Sequence, residues 1–399
     1  MLKSIAGTKA LITDIDRRKS LPIIQSLGRA GIKVIGISCI KYPLGAFSKY
    51  CLKVYYVPDY RYAPDLFLEK LEYICRLERP DVFYPIEDLV ISLCLRNPNG
   101  WVPYTQVLLS EYDNLETAYD KWLTIKAAKK LNILAPITYC PKDMEEVKLI
   151  AKNWHGQAVI KPRKSSGSRG LSYVENPSNI PTVYQQVSQN FFQPLIQERI
   201  PSEGSGLGVF ALINRNHEIM AIFGHKRLRE YPVSGGPSTL CVSYRDDKLI
   251  EQSIALFREI GLIGVAMAEY KIDIRTQKAT LMEINPRFWG SLQLSIFCGV
   301  NFPLLYHNFA LGLNPEKVFQ YPEGKYWRWL WPGDILHFLK NPDRFRLKPS
   351  FFEFRNPDVC YDMSLEDPLP IVGVVVGELF RFLKDRTAPT STSTNAQSV

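Results

Sequence analysis

What the 399-residue chain lacks narrows what it can be. No apolar run reaches the roughly 18 to 20 residues needed to cross a bilayer. The first residues lead into a strand without the apolar core of a secretory signal. A cytoplasmic protein is the expectation. Eight cysteines stand at 39, 51, 75, 94, 140, 241, 298 and 360, none in a Cys-x-x-Cys pair and most in apolar surroundings. They read as buried thiols of a reducing compartment. Zinc-finger spacing, an RNA-recognition signature and an Arg-rich arm are absent, so nucleic acid is not an expected partner. The net charge of +9 suits anionic small molecules without selecting one. The first strand opens into Asp14-Ile15-Asp16-Arg17-Arg18 with no glycine, which argues against a Gly-x-Gly-x-x-Gly dinucleotide site. Gly-Lys-Ser of a Walker A loop is missing too, as is any convincing Ser–His or Cys–His arrangement for a covalent nucleophile.

What is present begins as alternation. Strand patterns over Lys9–Thr13, Lys33–Ile37, Lys53–Val57 and Asp81–Pro85 are separated by helical ones over Leu21–Ala30, with Ser20 as the expected cap, and Pro64–Leu77. In the second helix Leu66, Phe67, Leu71, Ile74 and Cys75 form one stripe. The first 112 residues therefore predict a Rossmann-like parallel α/β sheet. Asp14, Arg17, Glu87 and Asp88 fall at the expected carboxyl ends of its strands, where ligands bind in open sheets; solvated loop residues would look the same. A helix over 114–131 carries Asp120-Lys121. A strand at Ile137–Cys140, a helix over Lys142–Asn153 and a strand at Gln157–Lys161 follow. The last runs into Pro162-Arg163-Lys164-Ser165-Ser166-Gly167-Ser168-Arg169-Gly170, a small-residue loop whose exposed amides can fold over phosphates.

Further on, the hairpin Gly206–Asn214 and Glu218–His225 delivers His225-Lys226-Arg227-Leu228-Arg229-Glu230, then the turn Ser234-Gly235-Gly236-Pro237-Ser238-Thr239. Four cationic or titratable side chains before such a turn can grip a carboxylate or an acyl phosphate, or form a basic surface turn. After a helix over Asp246–Ile260, a second hairpin joins Val265–Ile274 to Leu281-Met282-Glu283-Ile284-Asn285-Pro286-Arg287. Alternation puts Leu281, Glu283 and Asn285 on one face, Met282 and Ile284 on the other. A three-residue loop, Thr276–Lys278, would pair Arg275 with Ala279, Lys271 with Glu283 and Glu269 with Asn285. Glu269, Glu283 and Asn285 would then share a face and could hold one or two divalent ions. A slip of one residue would turn Glu269 away.

Glu269 about a dozen residues before Glu-Ile-Asn-Pro-Arg, with the motifs upstream, resembles the ATP-grasp superfamily, which includes D-alanine–D-alanine ligase, biotin carboxylase and carbamoyl phosphate synthetase. The likeness covers roughly residues 1–312 and is strongest to its carboxylate–amine ligase-like branch. It implies a Rossmann-like pre-ATP-grasp domain over 1–112, an ATP-grasp domain over 113–313 with lobes of about 113–193 and 194–313, a C-terminal appendage over 314–386 and a disordered tail over 387–399. It further implies that Lys121 and Lys161 neutralise phosphate charge. Ser165, Ser166, Gly167, Ser168 and Gly170 close over the β- and γ-phosphates. Gln197, Glu198, Arg199, Ile200 and Glu203 lie along the adenine and ribose. Glu269, Glu283 and Asn285 hold Mg²⁺ or Mn²⁺, and Arg287, Arg227 and Arg229 face the transferred phosphoryl group. The implied reaction joins a small carboxylate to an amine through an acyl phosphate, releasing ADP and phosphate. Alternatives are a bicarbonate or thiol acceptor, or a non-catalytic ATP-binding scaffold. Past residue 313 the likeness thins. The aromatic segment 326–332 reads as lid, subunit contact of a homodimer, or core; the apolar segment 368–384 is too short to span a membrane but could lie on its surface.

Overall fold

A computed structural model of the protein describes residues 5–165, 169–233 and 235–377. The N-terminal alternation produces four parallel strands, β1 (Lys9–Ile12), β2 (Lys33–Ser38), β3 (Cys51–Tyr56) and β4 (Val82–Tyr84), in the order β3-β2-β1-β4. They are connected through α1 (Ser20–Arg29) and α2 (Pro64–Glu78), and α3 (Asp88–Arg96) leaves β4. Ser20 does not cap α1: its hydroxyl donates to the Asp14 carbonyl at 2.8 Å, while Lys19 takes the cap position. On α2, Phe67, Leu71, Ile74 and Cys75 are buried as the stripe requires, but Leu66 is exposed.

The expected helix over 114–131 is two helices, α4 (Tyr112–Tyr119) and α5 (Lys121–Lys130). Asp120 breaks it, since its extended backbone and a carboxylate accepting from Trp122 N at 3.0 Å start a new helix rather than continue the old one. A small antiparallel sheet follows, β5 (Thr138–Tyr139), β6 (Ala158–Lys161), β7 (Ser172–Val174) and β8 (Leu195–Glu198), in the order β5-β8-β6-β7. It is backed by α6 (Met144–Lys152) and α7 (Ile180–Ser188) around Val147, Ile160, Ile180 and Ile196.

The third sheet has seven strands, β9 (Gly206–Ile213), β10 (Ile219–Glu230), β11 (Ser238–Ser243), β12 (Gly264–Asp273), β13 (Lys278–Asn285), β14 (Tyr326–Arg328) and β15 (Val359–Tyr361). Their order is β13-β12-β9-β10-β11-β14-β15. Of the expected Ser234–Thr239 turn, Ser238 already begins β11, and Ser234 lies outside the described residues. One face packs on α4, α5 and α8 (Asp247–Ile260) through Val209, Ala211, Phe257, Tyr270, Leu281 and Ile284. The other carries Phe210, Phe223, Cys241, Met267 and Trp327 against α9 (Leu292–Phe297), α10 (Phe302–Ala310) and α1. Each large side chain so enclosed stabilises the fold by roughly 1.5–3 kcal/mol relative to exposure.

The sheets do not follow the expected lobe boundaries. β8 lies beyond residue 193 yet pairs inside the small sheet, and residues 113–133 share a core with the large one. Nor is the described part of the 314–386 appendage, residues 314–377, detached, because β14 and β15 extend the large sheet and α11 (Ile335–Lys340) packs beside it. Buried Asp367 ties it back to the N-terminal unit, accepting from Gln25 Nε2 at 3.0 Å, Ser48 Oγ at 2.6 Å and Lys49 N at 2.9 Å. Trp327 is fully enclosed, Trp329 half-buried and Trp331 exposed, so the aromatic segment is core only in part. No described helix is long and apolar enough to cross a membrane. Residues 370–377 are helical with Ile371, Val372 and Val375 exposed; 378–384 of the apolar segment and the 387–399 tail lie outside the described residues.

Candidate active site

Two irregularities of the large sheet decide which side chains meet. The β12–β13 turn is four residues long, pairing Asp273 with Lys278, Lys271 with Thr280 and Tyr270 with Leu281. This register differs from the expected one. Continued unchanged, it would set Glu269 against Met282 and send Glu283 to the α8 face. A bulge at Met282 shifts the pairing by one, so that Glu269 lies directly opposite Glu283 and Met267 opposite Asn285. Leu281 and Ile284 both enter the α8-side core, which corrects the simple alternation, and the two glutamates share the other face. Bulges concentrate beside active sites because they re-aim a side chain within a rigid ladder.

Around that pair the cations arrive from three directions. Lys121, the first residue of α5, reaches Glu283 Oε2 at 3.3 Å and donates to the Ser165 carbonyl at 2.6 Å. It is fixed from behind: its amide donates to the Arg163 carbonyl, and Asp120 pairs with Arg163. Lys161, at the end of β6, is buried and enters no ion pair among the described residues. Burial, then its neighbour Lys121, pushes its ammonium down to about 7, with Glu283 opposing. From β10, Arg227 Nη2 donates to Glu269 at 3.1 Å, Nη1 to Glu230 at 3.0 Å and Nε to Ser238 at 2.8 Å. Burial and Glu283 push the Glu269 carboxyl up against the pull of Arg227. Burial also acts upward on Glu283, but Lys121, the hydrogen bond from Asn285 and Lys161 outweigh it and hold that carboxyl below its usual range.

Asn285 Nδ2 donates to Glu283 at 3.0 Å, and Arg287 Nη2 donates to Asn285 Oδ1 at 3.2 Å. Arg287 Nε donates to Asp88 at 2.7 Å, joining the hairpin to the carboxyl ends of β1 and β4. Beside it Lys19 pairs with Glu87 at 2.8 Å. Burial of Glu87 is overcome by Lys19 and Arg287, which hold its carboxyl at about 2. Asp14, with φ of +52°, accepts from Thr13 and Tyr60, and burial pushes it up to about 6. The loop residues Asp14 and Arg17 and the Glu87-Asp88 pair thus form one polar floor next to Arg287.

The other expected site residues lie elsewhere. A second bulge, at Leu228, puts Arg229 in the row of Leu240 and Arg328 rather than that of Arg227, Cys241 and Trp327. Arg229 is buried there with Asp334, 2.9 Å away, and does not meet Glu269. His225 is no cation either: it is buried against Phe210, and burial with Arg227 nearby lowers it to about 3. Its ring occupies the space that a Cβ at Gly208 would enter, 2.8 Å from Nε2.

Gln197 is fully buried and donates to Thr138, Glu198 pairs with Arg275 at 2.6 Å, Arg199 pairs with Glu175, Ile200 is buried and Glu203 is exposed. Of the loop, Ser165 and Gly170 are described, Gly170 with φ of +74° and Phe191 and Pro162 packed where a side chain would go; Ser166, Gly167 and Ser168 lie outside the described residues. Glu230, Asp120 and Lys19 were not singled out from the sequence. Asp120, beside Lys121, carried a signal as a capping residue; Glu230 and Lys19 are visible only through pairing.

Glu269, Glu283 and Asn285 supply hard oxygen donors on one face, the set Mg²⁺ takes when phosphates and water complete its shell. The second carboxylate is held ionised by two lysines, which fits a cation and a polyphosphate arriving together.

The family described as "ATP-grasp in the biosynthetic pathway with Ter operon" matches residues 195–330. Acetyl-CoA carboxylase 2 of Oryza sativa subsp. japonica is 24% identical over 135 residues, 33% of this chain, which spans only 6% of that relative's length. Among solved structures, a biotin carboxylase complex from Campylobacter jejuni superposes with a TM-score of 0.65 at 14% identity, covering 80% of this chain and 74% of that one. The N5-carboxyaminoimidazole synthetase of Staphylococcus aureus gives 0.62 at 13%, covering 82% of each chain. The L-amino acid ligase of Bacillus licheniformis gives 0.58 at 13%, covering 76% and 74%. At these identities the likeness establishes the fold, a parallel sheet followed by the two ATP-grasp lobes.

Proposed function

We propose that this chain is an ATP-dependent ligase of the carboxylate–amine branch of the ATP-grasp superfamily. The observation that carries the reading is the pair Glu269 and Glu283, set face to face by the Met282 bulge with Lys121 and Arg227 each on one of them. Mg²⁺ on Glu269, Glu283 and Asn285 would shield phosphate charge and polarise the transferred group. Lys121 and Lys161 present point charges to the same phosphates. Arg227 and Arg287 offer guanidinium N–H groups to the oxygens that gain charge as the phosphoryl group passes.

A substrate carboxylate oxygen takes the γ-phosphoryl group and ADP leaves; an amine then attacks the acyl carbon, phosphate leaves and the amine loses a proton. No side chain forms a covalent intermediate. The polar floor of Asp14, Arg17, Glu87 and Asp88 is where the acceptor is placed. The test is ADP and phosphate release from MgATP with panels of carboxylic acids, bicarbonate and amines, comparing wild type with Glu283→Gln. Release that needs an acid and an amine and vanishes in the variant supports the reading. Release on bicarbonate alone moves the chain to a carboxylating acceptor class, and no binding of MgATP removes the reading.

A further inference from the structure

Arg18 stands on the loop between β1 and α1, next to the floor just described but outside its ion pairs. Its guanidinium carbon lies 3.7 Å from the ring centre of Trp329 and 5.1 Å from that of Trp327. Nη1 is buried and makes no hydrogen bond, and Arg18 enters no ion pair among the described residues. Asp362 is the carboxylate acting on it most, yet it forms no ion pair with it and accepts instead from Leu330 N at 3.3 Å. Nη2 faces Gly290, where any Cβ would come within 2.8 Å of it. Arg18, Trp329 and Gly290 are each only part-buried, while Nη1 itself is closed to solvent.

A buried donor without a partner is costly, and a stacked guanidinium with no hydrogen bond of its own suits a planar bidentate anion. Trp327 shares the row of Cys241 and Arg227 on the face that bears Glu269. Two strand spacings, about 10 Å, therefore separate the backbone of Trp327, whose ring lies 5.1 Å from the Arg18 guanidinium, from that of Arg227.

We propose that Arg18, stacked on Trp329 and opened by Gly290, binds a second carboxylate of the acid substrate. The substrate is then a dicarboxylic compound whose two carboxylates are separated by a few carbons, one activated beside Arg227 and the other forked on Arg18. This rests on the ligase reading. β14 and the segment after it become part of the specificity pocket, since they supply the indole under Arg18.

The test uses full-length protein, MgATP, hydroxylamine as the amine, and glutarate and adipate beside their monoamides. The expected result is a KM for one of the diacids at least tenfold below that of its monoamide. Arg18→Lys and Arg18→Ala should erase that preference by raising the diacid KM, with kcat within threefold and the KM for ATP unchanged. Trp329→Phe should fall between, and thermal melts should show all variants folded. Acid-dependent ADP release with equal KM for diacid and monoamide, or a preference that survives Arg18→Lys, overturns the proposal while leaving the ligase reading intact. If no acid releases ADP, the ligase reading fails, and calorimetric binding of adipate and its monoamide to the wild type and Arg18→Lys decides this one separately. A preference lost in the variant supports it, and equal binding overturns it.

Discussion

The two bulges of the large sheet do opposite things. At Met282 the extra residue swings Glu283 onto the face of Glu269 and creates the pair of carboxylates. At Leu228 it swings Arg229 off the face of Arg227 and into a sealed group with Arg328 and Asp334. Both places hold carboxylates against guanidiniums at about the same distances, 3.1 Å for Arg227–Glu269 and 2.9 Å for Arg229–Asp334. They differ in access: the side chains of Glu269 and Glu283 keep about a quarter of their surface, and Asp334 keeps none. A charge cluster open to a ligand can exchange protein partners for that ligand; a sealed one can only hold the sheet together.

The comparison breaks first on function. Glu283→Gln keeps the size and the Asn285 contact but removes the charge that Lys121 and a metal ion would share. ADP release should fall by at least ~100-fold, the scale seen when one preorganised electrostatic group is lost, with the melting temperature little changed. Full activity in a folded Glu283→Gln protein would show that the Met282 bulge builds no catalytic site.

Its counterpart breaks on stability. Asp334→Asn leaves two buried guanidiniums facing an amide, and removing one partner of a buried charge group costs about 3–5 kcal/mol. Denaturant unfolding should show that loss in Asp334→Asn and almost none in Glu269→Gln, whose Arg227 keeps Glu230. Equal losses would erase the distinction between an open and a sealed cluster.

The lysines give a smaller effect that titrates. Lys161→Ala should raise the KM for ATP roughly tenfold or more, as expected for losing a charge-assisted phosphate contact of about 1.5–3 kcal/mol. Because burial and Lys121 hold Lys161 near 7 without ligand, phosphate binding must recharge it. At pH 8 the wild type should take up close to one proton on binding MgATP, measured calorimetrically in buffers of different ionisation enthalpy, and Lys161→Ala should not. Identical uptake in both proteins would place the titration elsewhere.

These contrasts also mark how far the sequence could be read. The alternation of β1 to β4, the Lys161 strand and the Glu-Ile-Asn-Pro-Arg segment are local patterns, and local patterns survive into the fold. The site was legible in kind, since Glu269, Glu283 and Asn285 do gather. The register that gathers them was not: the turn is longer than expected, and only the Met282 bulge restores the parity. The resemblance placed Arg229 beside Arg227, and nothing in Arg-Leu-Arg announces the extra residue at Leu228 that separates them. β14 and β15 were missed for a different reason. Each is three residues long, and their pairing partners lie far away in the chain, so no local period exists to detect.

Asp14 offers the finest test, because it belongs to the floor and not to the metal pair. Burial raises its carboxyl from 3.8 to about 6, against the hydrogen bond from Thr13. The folded protein therefore binds the proton more tightly than the unfolded chain. The stabilisation from that proton is complete below about pH 4 and is lost as pH rises through about 6. Asp14→Asn removes the titration, and asparagine tolerates the +52° backbone angle as well as aspartate does. At pH 7.5 the variant should be as stable as the wild type or slightly more so, within the ~1 kcal/mol common for single substitutions. At pH 4 any advantage should disappear. An advantage that instead grew towards low pH would mean that Asp14 is ionised through an attraction stronger than its burial. The floor beside Arg287 would then be a charged recognition surface, open in the sense of Glu283 rather than sealed in the sense of Asp334.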